Sequence, residues 1–261
     1  MLTKYIGITG SKKSGKTTTI ETIVPILLKK NLRVGTVKVA FRDVSIDVNQ
    51  KQYDVIRHRR SASIITMFKS NSETVVFRNE KYSLREALKI ISKNLDIILI
   101  EGFKEDLMGF PQITLLKESG QEEEFTNEYT VAVSSIPEFS IRSKHKLFVP
   151  FEKLAEVVLE KSLPLFPELD CGHCGYETCQ ELMIAVIQGK KAITDCEILG
   201  LEDSSVVLKV NDNIVPNKDF IQDLIKNVVT GIVTSLKVEE KEILSIDLKI
   251  TFKPKKVIKD E

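Results

Sequence analysis

The chain has 261 residues, of which 42% are hydrophobic and 29% are charged, as is ordinary for a globular protein with a sizeable core and more than one domain. Its formal net charge of +1 argues against broad, charge-driven binding to nucleic acid or anionic lipid. No signal peptide is recognisable, and no apolar run approaches the roughly 20 residues of a membrane-spanning helix. We therefore expect a cytoplasmic protein that binds neither nucleic acid nor membrane.

The first motif of the chain is a phosphate-binding loop with the pattern GxxxxGKT. An apolar run at 5–9 precedes it and a helical pattern at 20–28 follows, which is the strand, loop and helix setting that the motif requires. In such a loop backbone N–H groups surround an anion, Lys16 reaches the outer phosphates and Thr17 ligates Mg²⁺. A surface turn rich in Gly and Lys is the alternative. The candidate nucleotide-binding residues are Gly10, Ser11, Lys12, Lys13, Ser14, Gly15, Lys16, Thr17 and Thr18.

A polar region follows the second predicted strand, which spans residues 33–38. Residues 40–53 include Asp47 and form either an active-site loop or a solvated connection. Asp54 begins a short predicted helix that carries Arg, His, Arg and Arg at 57–60. These basic residues suit a phosphate-bearing ligand, or else they form a solvated face.

A buried strand is predicted at 96–100, where the apolar run DIILI is typical of a parallel strand covered on both faces. Glu101 comes directly after it, on the edge of the sheet where the phosphate loop lies. A carboxylate there can hold Mg²⁺ through water or orient a nucleophile. A solvated acid that begins a loop is the alternative.

Repeated strand and helix patterns complete the first domain. Further strands are predicted at 63–68, 74–77, 112–116, 130–134 and 147–149, and further helices begin at Ser83, with a capping box to Glu86, and at 152. Together with the loop they predict an α/β domain of the P-loop NTPase type over residues 1–162, with a mostly parallel sheet and helices on both faces.

These motifs together resemble the molybdopterin-guanine dinucleotide biosynthesis protein B (MobB) family. The resemblance rests on the loop at 10–17, Lys38 after the second strand, Asp47 with Asn49, Asp54 with Arg59, and DIILIEGFK at 96–104. It implies GTP binding with Mg²⁺, weak hydrolysis, and help to a guanylyltransferase partner that joins GMP to the molybdenum-bearing pterin. Contact with molybdopterin-bearing proteins and a homodimer are also implied.

The resemblance also implies roles for individual residues. Lys16 and Glu101 would be catalytic, Thr17 and Glu101 would hold the metal, and Asp47, Asp54 and Lys104 would contact the nucleotide. Two departures concern the base: Ser135 stands where an aspartate is common in the family, and the chain has no NKxD motif to select guanine.

A cysteine cluster follows a proline-containing linker. The spacing is Cys171-x2-Cys174-x4-Cys179-x16-Cys196, and these are the chain's four cysteines. Such clustering in a cytoplasmic protein indicates metal ligation rather than disulfides. A 4Fe–4S cluster needs four thiolates around one compact object, whereas structural zinc sites usually pair two CxxC knuckles. Zinc is the alternative. The segment resembles the four-cysteine 4Fe–4S domain of corrinoid iron–sulfur proteins and electron-transport subunits, and we assign it to 163–200.

The last predicted domain, at 201–261, is a small α+β module. Its pattern contains two short strands near 206–210 and 214–215, a helix with a wide apolar stripe, and an alternating strand at 244–252. No catalytic constellation is evident, which favours a structural or docking role.

Three functions fit these patterns. The first is a GTP-binding accessory protein of molybdenum or tungsten cofactor biosynthesis that carries an iron–sulfur cluster. The second is an ATP-dependent metallocentre-maturation or electron-transfer protein in which the nucleotide gates the cluster. The third is an adaptor that binds nucleotide only to set its conformation for a partner.

Overall fold

The computed structural model describes residues 2–40, 65–78, 80–200, 206, 208–210, 213–215, 219–236, 246 and 248–250. The chain divides into two compact units, Met1–Glu202 and Asp203–Glu261, which are described separately. The cysteine segment belongs to the first unit. The proposed domain boundaries at 162 and 200 stay predictions.

The first unit is an α/β unit. Its strands are β1 (Lys4–Gly10), β2 (Val34–Lys38), β3 (Ile65–Lys69), β4 (Thr74–Arg78), β5 (Ile97–Glu101), β6 (Gln112–Leu115), β7 (Thr130–Ser134) and β8 (Leu163–Pro164). Its helices are α1 (Lys16–Leu28), α2 (Leu84–Ile91), α3 (Glu122–Phe125), α4 (Leu154–Lys161), α5 (Cys179–Ile187) and α6 (Glu197–Gly200). Short 3-10 helices lie at Pro137–Phe139, Phe151–Lys153 and Ile193–Asp195.

Six of the described strands form the main sheet, in the order β2-β5-β1-β6-β7, with β8 paired to the start of β1. All pairings are parallel except that of β8, which runs antiparallel to β1 at Tyr5 and Leu163. Parallel strands place their carboxyl ends at one edge, so the loops that follow β1, β2, β5, β6 and β7 meet there.

Helices cover both faces of this sheet. Successive residues of β5 point to opposite sides, and all five of its residues are buried. On one face α1 and α4 pack through Ile23, Leu27, Leu154 and Val158 against Ile6, Ile8, Ile97 and Leu99. On the other face Leu88 of α2 packs with Tyr5, Ile98 and Ile100. The predicted sheet with helices on both faces is confirmed.

Local signals place several elements correctly. The capping box at the start of α2 is present, because the Ser83 hydroxyl accepts from the Glu86 N–H and the Glu86 carboxylate accepts from the Ser83 N–H. Strands β3 and β4 form a separate antiparallel hairpin with Met67 opposite Val76. The predicted strand at 147–149 is reduced to one parallel bridge between Phe148 and Val133.

The second unit has a short antiparallel hairpin and one long helix in its described part. Strands β9 (Leu208–Val210) and β10 (Asn213–Val215) pair with each other, and α7 spans Asp219–Ser235. The predicted strand at 244–252 lies mostly outside the described residues, and residues 246 and 248–250 are not in a strand. Within the described ranges, no helix combines the length and apolar character that crossing a membrane requires.

Candidate functional site

The phosphate loop lies at the centre of the sheet's carboxyl edge, because β1 runs between β5 and β6 and ends at Gly10. Two glycines give the loop its shape, with φ of 132° at Gly10 and 92° at Gly15. A Cβ at Gly10 would lie 2.3 Å from the Leu115 carbonyl oxygen, and one at Gly15 would lie 2.5 Å from Ile136 Cγ2. Only glycine fits both the backbone angle and the space at these two positions.

The start of α1 has the features of an anion site. No side chain caps the helix at Gly15, and its first turn contains no acidic residue. The first N–H groups of a helix lack partners within the helix and carry its positive dipole end. Ser11 Oγ and Ser14 Oγ are also buried without a hydrogen-bond partner among the described residues. The loop therefore offers donors that fit a phosphate-bearing ligand.

Lys16 folds back over the loop from which it comes. Its Nζ donates to the carbonyl oxygens of Gly10 at 2.9 Å and Ser11 at 2.7 Å, and it lies 5.5 Å from the centre of the Phe103 ring. Burial lowers the pKa of Lys16, the Glu101 carboxylate opposes that shift, and Lys38 adds to it. The cation is thus held in front of the loop by weak carbonyl acceptors that an anionic phosphate would replace.

Glu101 is the centre of a small polar network. It ends β5, is 9% exposed, and accepts from Thr17 Oγ1 at 3.0 Å and from Lys38 Nζ at 3.1 Å. Lys38 reaches it because the register of β2 and β5 pairs these two residues directly. A hydroxyl and a carboxylate oxygen in contact are ligands that Mg²⁺ accepts. The structure therefore brings together three of the predicted site residues, Lys16, Thr17 and Glu101.

Other predicted residues lie farther from this network or beyond what is described. The Lys104 ammonium donates to the Glu124 carbonyl of α3. Lys12, Lys13 and Thr18 are exposed. Asp47, Asn49, Asp54 and the basic run at 57–60 lie outside the described residues.

The end of β7 lies at the same edge of the sheet, and of its two serines the sequence analysis had singled out Ser135 alone. Ser134 and Ser135 are buried, and Ser134 Oγ has no hydrogen-bond partner in the described part of the chain. Ser135 Oγ donates to the neighbouring Ile136 carbonyl at 3.2 Å. The motifs did not single out Ser134 or predict the contact of Lys38 with Glu101. Strand order would have placed both residues at this edge, because both lie at carboxyl ends of the same parallel sheet.

The cysteines form a second site on the first unit. All four line one pocket, although Cys171 is exposed, Cys174 is partly buried, and Cys179 and Cys196 are buried. Cys171 directly precedes the turn that contains Cys174, while Cys179 is the first residue of α5. A capping box between Thr178 and Glu181 fixes the start of that helix. In addition, the Cys179 N–H donates to Asp170 Oδ1 at 2.7 Å.

The environment of the thiols fits a thiolate-ligated group. Burial raises the pKa of Cys196, backbone N–H donors of Leu199 and Ile198 lower it, and the thiols of Cys179 and Cys174 raise it further. Backbone N–H donors to sulfur are common around iron–sulfur clusters. Glycines 172 and 175 have φ of 73° and 84°, so the CxxC turn needs their left-handed backbone. Within the described residues, no three His, Cys, Asp or Glu side chains are arranged as a single-ion site.

Comparison with known families matches both sites. Residues 5–136 match the MobB family model, "Molybdopterin guanine dinucleotide synthesis protein B". Residues 166–198 match a model described as "Putative Fe-S cluster". The two matched segments contain the phosphate loop with Glu101 and the four cysteines, respectively.

Similar proteins extend these matches. The chain is 27% identical over 252 residues to the "Putative molybdopterin-guanine dinucleotide biosynthesis adapter protein" of Methanocaldococcus jannaschii, over 95% of this chain and 98% of that protein. It is 27% identical over 132 residues to the "Molybdopterin-guanine dinucleotide biosynthesis adapter protein" of Haemophilus influenzae, over 50% of this chain and 73% of that protein. The crystal structure of Bacillus subtilis MobB has the same fold, with a TM-score of 0.52 and 20% identity, over 61% of this chain and 98% of that chain.

Proposed function

This chain belongs to the molybdopterin guanine dinucleotide synthesis protein B family, and on that premise we propose that it is a GTP-binding adapter protein of molybdenum cofactor biosynthesis. The relative from M. jannaschii is named a putative molybdopterin-guanine dinucleotide biosynthesis adapter protein, and the match covers 95% of this chain. The observation that carries the proposal is the meeting of Lys16, Thr17 and Glu101 at the mouth of the phosphate loop.

Different residues at the loop have different roles in binding the nucleotide. Backbone N–H groups at the start of α1 and the Lys16 ammonium bind the phosphates, so Lys16 leaves its two carbonyl acceptors when nucleotide enters. Thr17 and Glu101 hold Mg²⁺, and Lys38 orients the Glu101 carboxylate. When bound, Mg²⁺ neutralises charge on the outer phosphates. Because this chemistry rests on positioning and charge, hydrolysis is slow until a partner adds to the site.

GTP is the proposed nucleotide, since the family is named for a product that contains guanine. Asp47 and Asp54 are proposed as further contacts to the nucleotide, together with Lys104. The partner is the guanylyltransferase that attaches GMP to the pterin, with molybdopterin-bearing proteins as further contacts and molybdenum or tungsten as the metal of the pterin. We place the adapter in the cytoplasm, as a homodimer. Sedimentation analysis tests the oligomeric state, and partner-stimulated GTP hydrolysis distinguishes a GTPase from a pure switch.

The nucleotide site is tested by calorimetric titration of anaerobically prepared protein with GTP and with ATP, each with and without Mg²⁺. Lys16→Ala should weaken Mg²⁺–GTP binding by about 10- to 100-fold, the value of a charge-assisted hydrogen bond. Lys30→Ala removes the same charge from an exposed position beyond α1 and should leave the affinity unchanged. Equal affinities of wild type and Lys16→Ala would refute the site. A clear preference for ATP would favour the ATP-dependent metallocentre function instead.

We further propose that Cys171, Cys174, Cys179 and Cys196 ligate a 4Fe–4S cluster. Four thiols that line one pocket, with backbone donors directed at Cys196, support this ligand set. Such a cluster supplies a one-electron redox centre. Anaerobically purified protein should contain about four iron and four acid-labile sulfide per chain. Stoichiometric zinc without sulfide would contradict the proposal.

A further inference from the structure

We propose that Arg85 is a positioning residue for the cysteine-bound cluster: it anchors the turn that leads into Cys171 and holds a fixed positive charge beside Cys179. Arg85 lies on α2, which packs on the sheet, far along the chain from the cysteines. The inference rests on the proposed cluster and adds a residue from outside the four-cysteine motif. It concerns retention of the cluster and its reduction potential.

The packing of α2 brings Arg85 to the cysteine segment. Leu84 of α2 and Leu165 of the linker contact the same buried group on one face of the sheet, which includes Tyr5 and Leu88. The capping box at Ser83 fixes where α2 begins and therefore where the next residues point. The Arg85 side chain is 18% exposed, so it is enclosed at this junction rather than extended into solvent.

Arg85 contacts a turn that has an unfavourable backbone. Its Nε lies 2.9 Å from Glu168 Oε2, and the two side chains form an ion pair. Glu168 and Asp170 both have left-handed backbone conformations, with φ of 55° and 44°. Residues with a Cβ adopt this conformation only when other contacts hold it. Two such contacts are present: the ion pair of Glu168 with Arg85, and the hydrogen bond from the Cys179 N–H to Asp170 Oδ1.

Arg85 is linked to Cys179 through the segment before the cysteines. It pairs with Glu168, and Asp170, two residues further on, accepts from the Cys179 N–H. Burial lowers the pKa of Arg85, whereas the Glu168 carboxylate, the Cys179 thiolate and Tyr5 raise it. Arginine stays protonated under all ordinary conditions, so the positive charge is constant. Cys179 is 7% exposed, and interactions between charges are stronger where water is excluded.

The carboxylates that line the pocket have the opposite sign, and one of them, on Glu197, lies 3.4 Å from His173 Nδ1. The acidic residues among its lining side chains are Asp170 and Glu197, and the lining includes no lysine or arginine among the described residues. Arg85 therefore brings a positive countercharge to the segment that leads into this pocket. If a cluster is held here, one electron taken from an external donor would add one negative charge without forming or breaking a bond. A nearby cation stabilises that reduced state and raises the reduction potential.

The test compares four variants of the full chain, purified anaerobically. Arg85→Met removes the charge and Arg85→Lys keeps it. Glu168→Gln removes the opposing negative charge, and Arg33→Met makes the same change as Arg85→Met at an exposed pair with Asp96. The readouts are iron and acid-labile sulfide per chain, the rate of iron loss to a chelator, and the midpoint potential from a dithionite titration followed by electron paramagnetic resonance.

Arg85→Met should lose iron several-fold faster and have a more negative midpoint potential than wild type. Arg85→Lys and Arg33→Met should keep the wild-type potential, and Glu168→Gln should shift it to a more positive value. A fully loaded Arg85→Met protein with the wild-type potential would overturn the proposal. If Arg85→Met retains no cluster, the midpoint potential of Glu168→Gln becomes the test. A Glu168→Gln potential equal to or more negative than that of wild type would overturn the proposal. Wild-type protein without acid-labile sulfide would instead refute the cluster itself, a result that the iron and sulfide assay reports separately.

Discussion

The phosphate loop and the cysteine pocket lie in the same unit but are stabilised in different ways. The loop is eight consecutive residues, 10–17, suspended between a central strand and a helix of the main sheet. Lys16 and Thr17 already have partners within the chain, at Gly10, Ser11 and Glu101. The pocket instead collects thiols from positions 171 to 196, between short turns and helices.

This difference indicates which of the two sites depends on its ligand for its structure. The backbone of the loop is fixed by burial of β1, β5 and β6, which form the middle of the sheet. The pocket has an exposed thiol at Cys171 and a preceding segment with two left-handed residues. We therefore expect nucleotide to bind a loop that is already formed, and the metal group to stabilise the segment around it.

Removing each ligand should therefore have unequal effects, and this is the largest difference that we expect. Chelation of iron under anaerobic conditions should abolish the protection of backbone amides at 171–196, because ligand binding and folding are coupled there. Removal of nucleotide should leave amides of β1 and β5 protected. Hydrogen exchange with mass spectrometry measures both regions in one experiment. Equal loss of protection in the two regions would show that both sites depend on their ligands.

A single methyl group in the loop is the next largest expected effect. Gly10→Ala places a Cβ 2.3 Å from a backbone oxygen of β6 at a φ of 132°, so the chain must shift. We expect a loss of about 3 kcal/mol in the free energy of unfolding, at the upper end of ordinary substitutions, together with loss of nucleotide binding. Urea unfolding and calorimetry measure these two quantities.

The control is Gly120→Ala, where φ is 87° but no atom lies within 4 Å of the added Cβ. This variant has the backbone strain without the collision, so it should lower the free energy of unfolding by about 1 kcal/mol. If both variants lower the free energy of unfolding by the same amount, the close approach of Leu115 would have no part in fixing the conformation of the loop. Iron content should stay unchanged in both, since neither glycine lies near the cysteines in the chain.

Short sequence patterns predicted much of this unit. The GKT loop, the apolar run before Glu101 and the capping box at Ser83 each depend on neighbouring residues, so local physics defines them. The spacing of the cysteines likewise predicted a common site, and all four line one pocket. A spacing rule does not reveal long-range partners. Arg85 meets Glu168 only because α2 and the linker pack on the same core.

Strand register explains the placements and contacts that the motifs did not predict. Lys38 contacts Glu101 because β2 and β5 pair in one particular register, and Ser134 lies at the carboxyl edge because β7 follows β6 in the sheet. One sequence does not determine either pairing, since a slip by one residue would turn the side chains to the other face. The predicted strand at 147–149 fails for a related reason: it lies beside β7 but makes only one bridge.

The smallest effect that we predict concerns the two capping boxes, one on a helix of the main sheet and one at the cysteine pocket. Ser83 caps α2, which packs on the sheet. Thr178 caps α5, and the first residue of that helix is Cys179. Replacing either residue by Ala should remove about 1 kcal/mol of helix stability. In α2 that loss should appear in the global free energy of unfolding, because α2 packs on the main core through Leu88. In α5 it should appear as faster iron loss to a chelator with little change in global unfolding, because fraying there displaces a thiolate.

Ser83→Thr and Thr178→Ser keep a hydroxyl cap and serve as controls. If Thr178→Ala lowers global stability as much as Ser83→Ala and leaves iron loss unchanged, the cysteine segment is part of the rigid core, and its folding does not depend on the metal group.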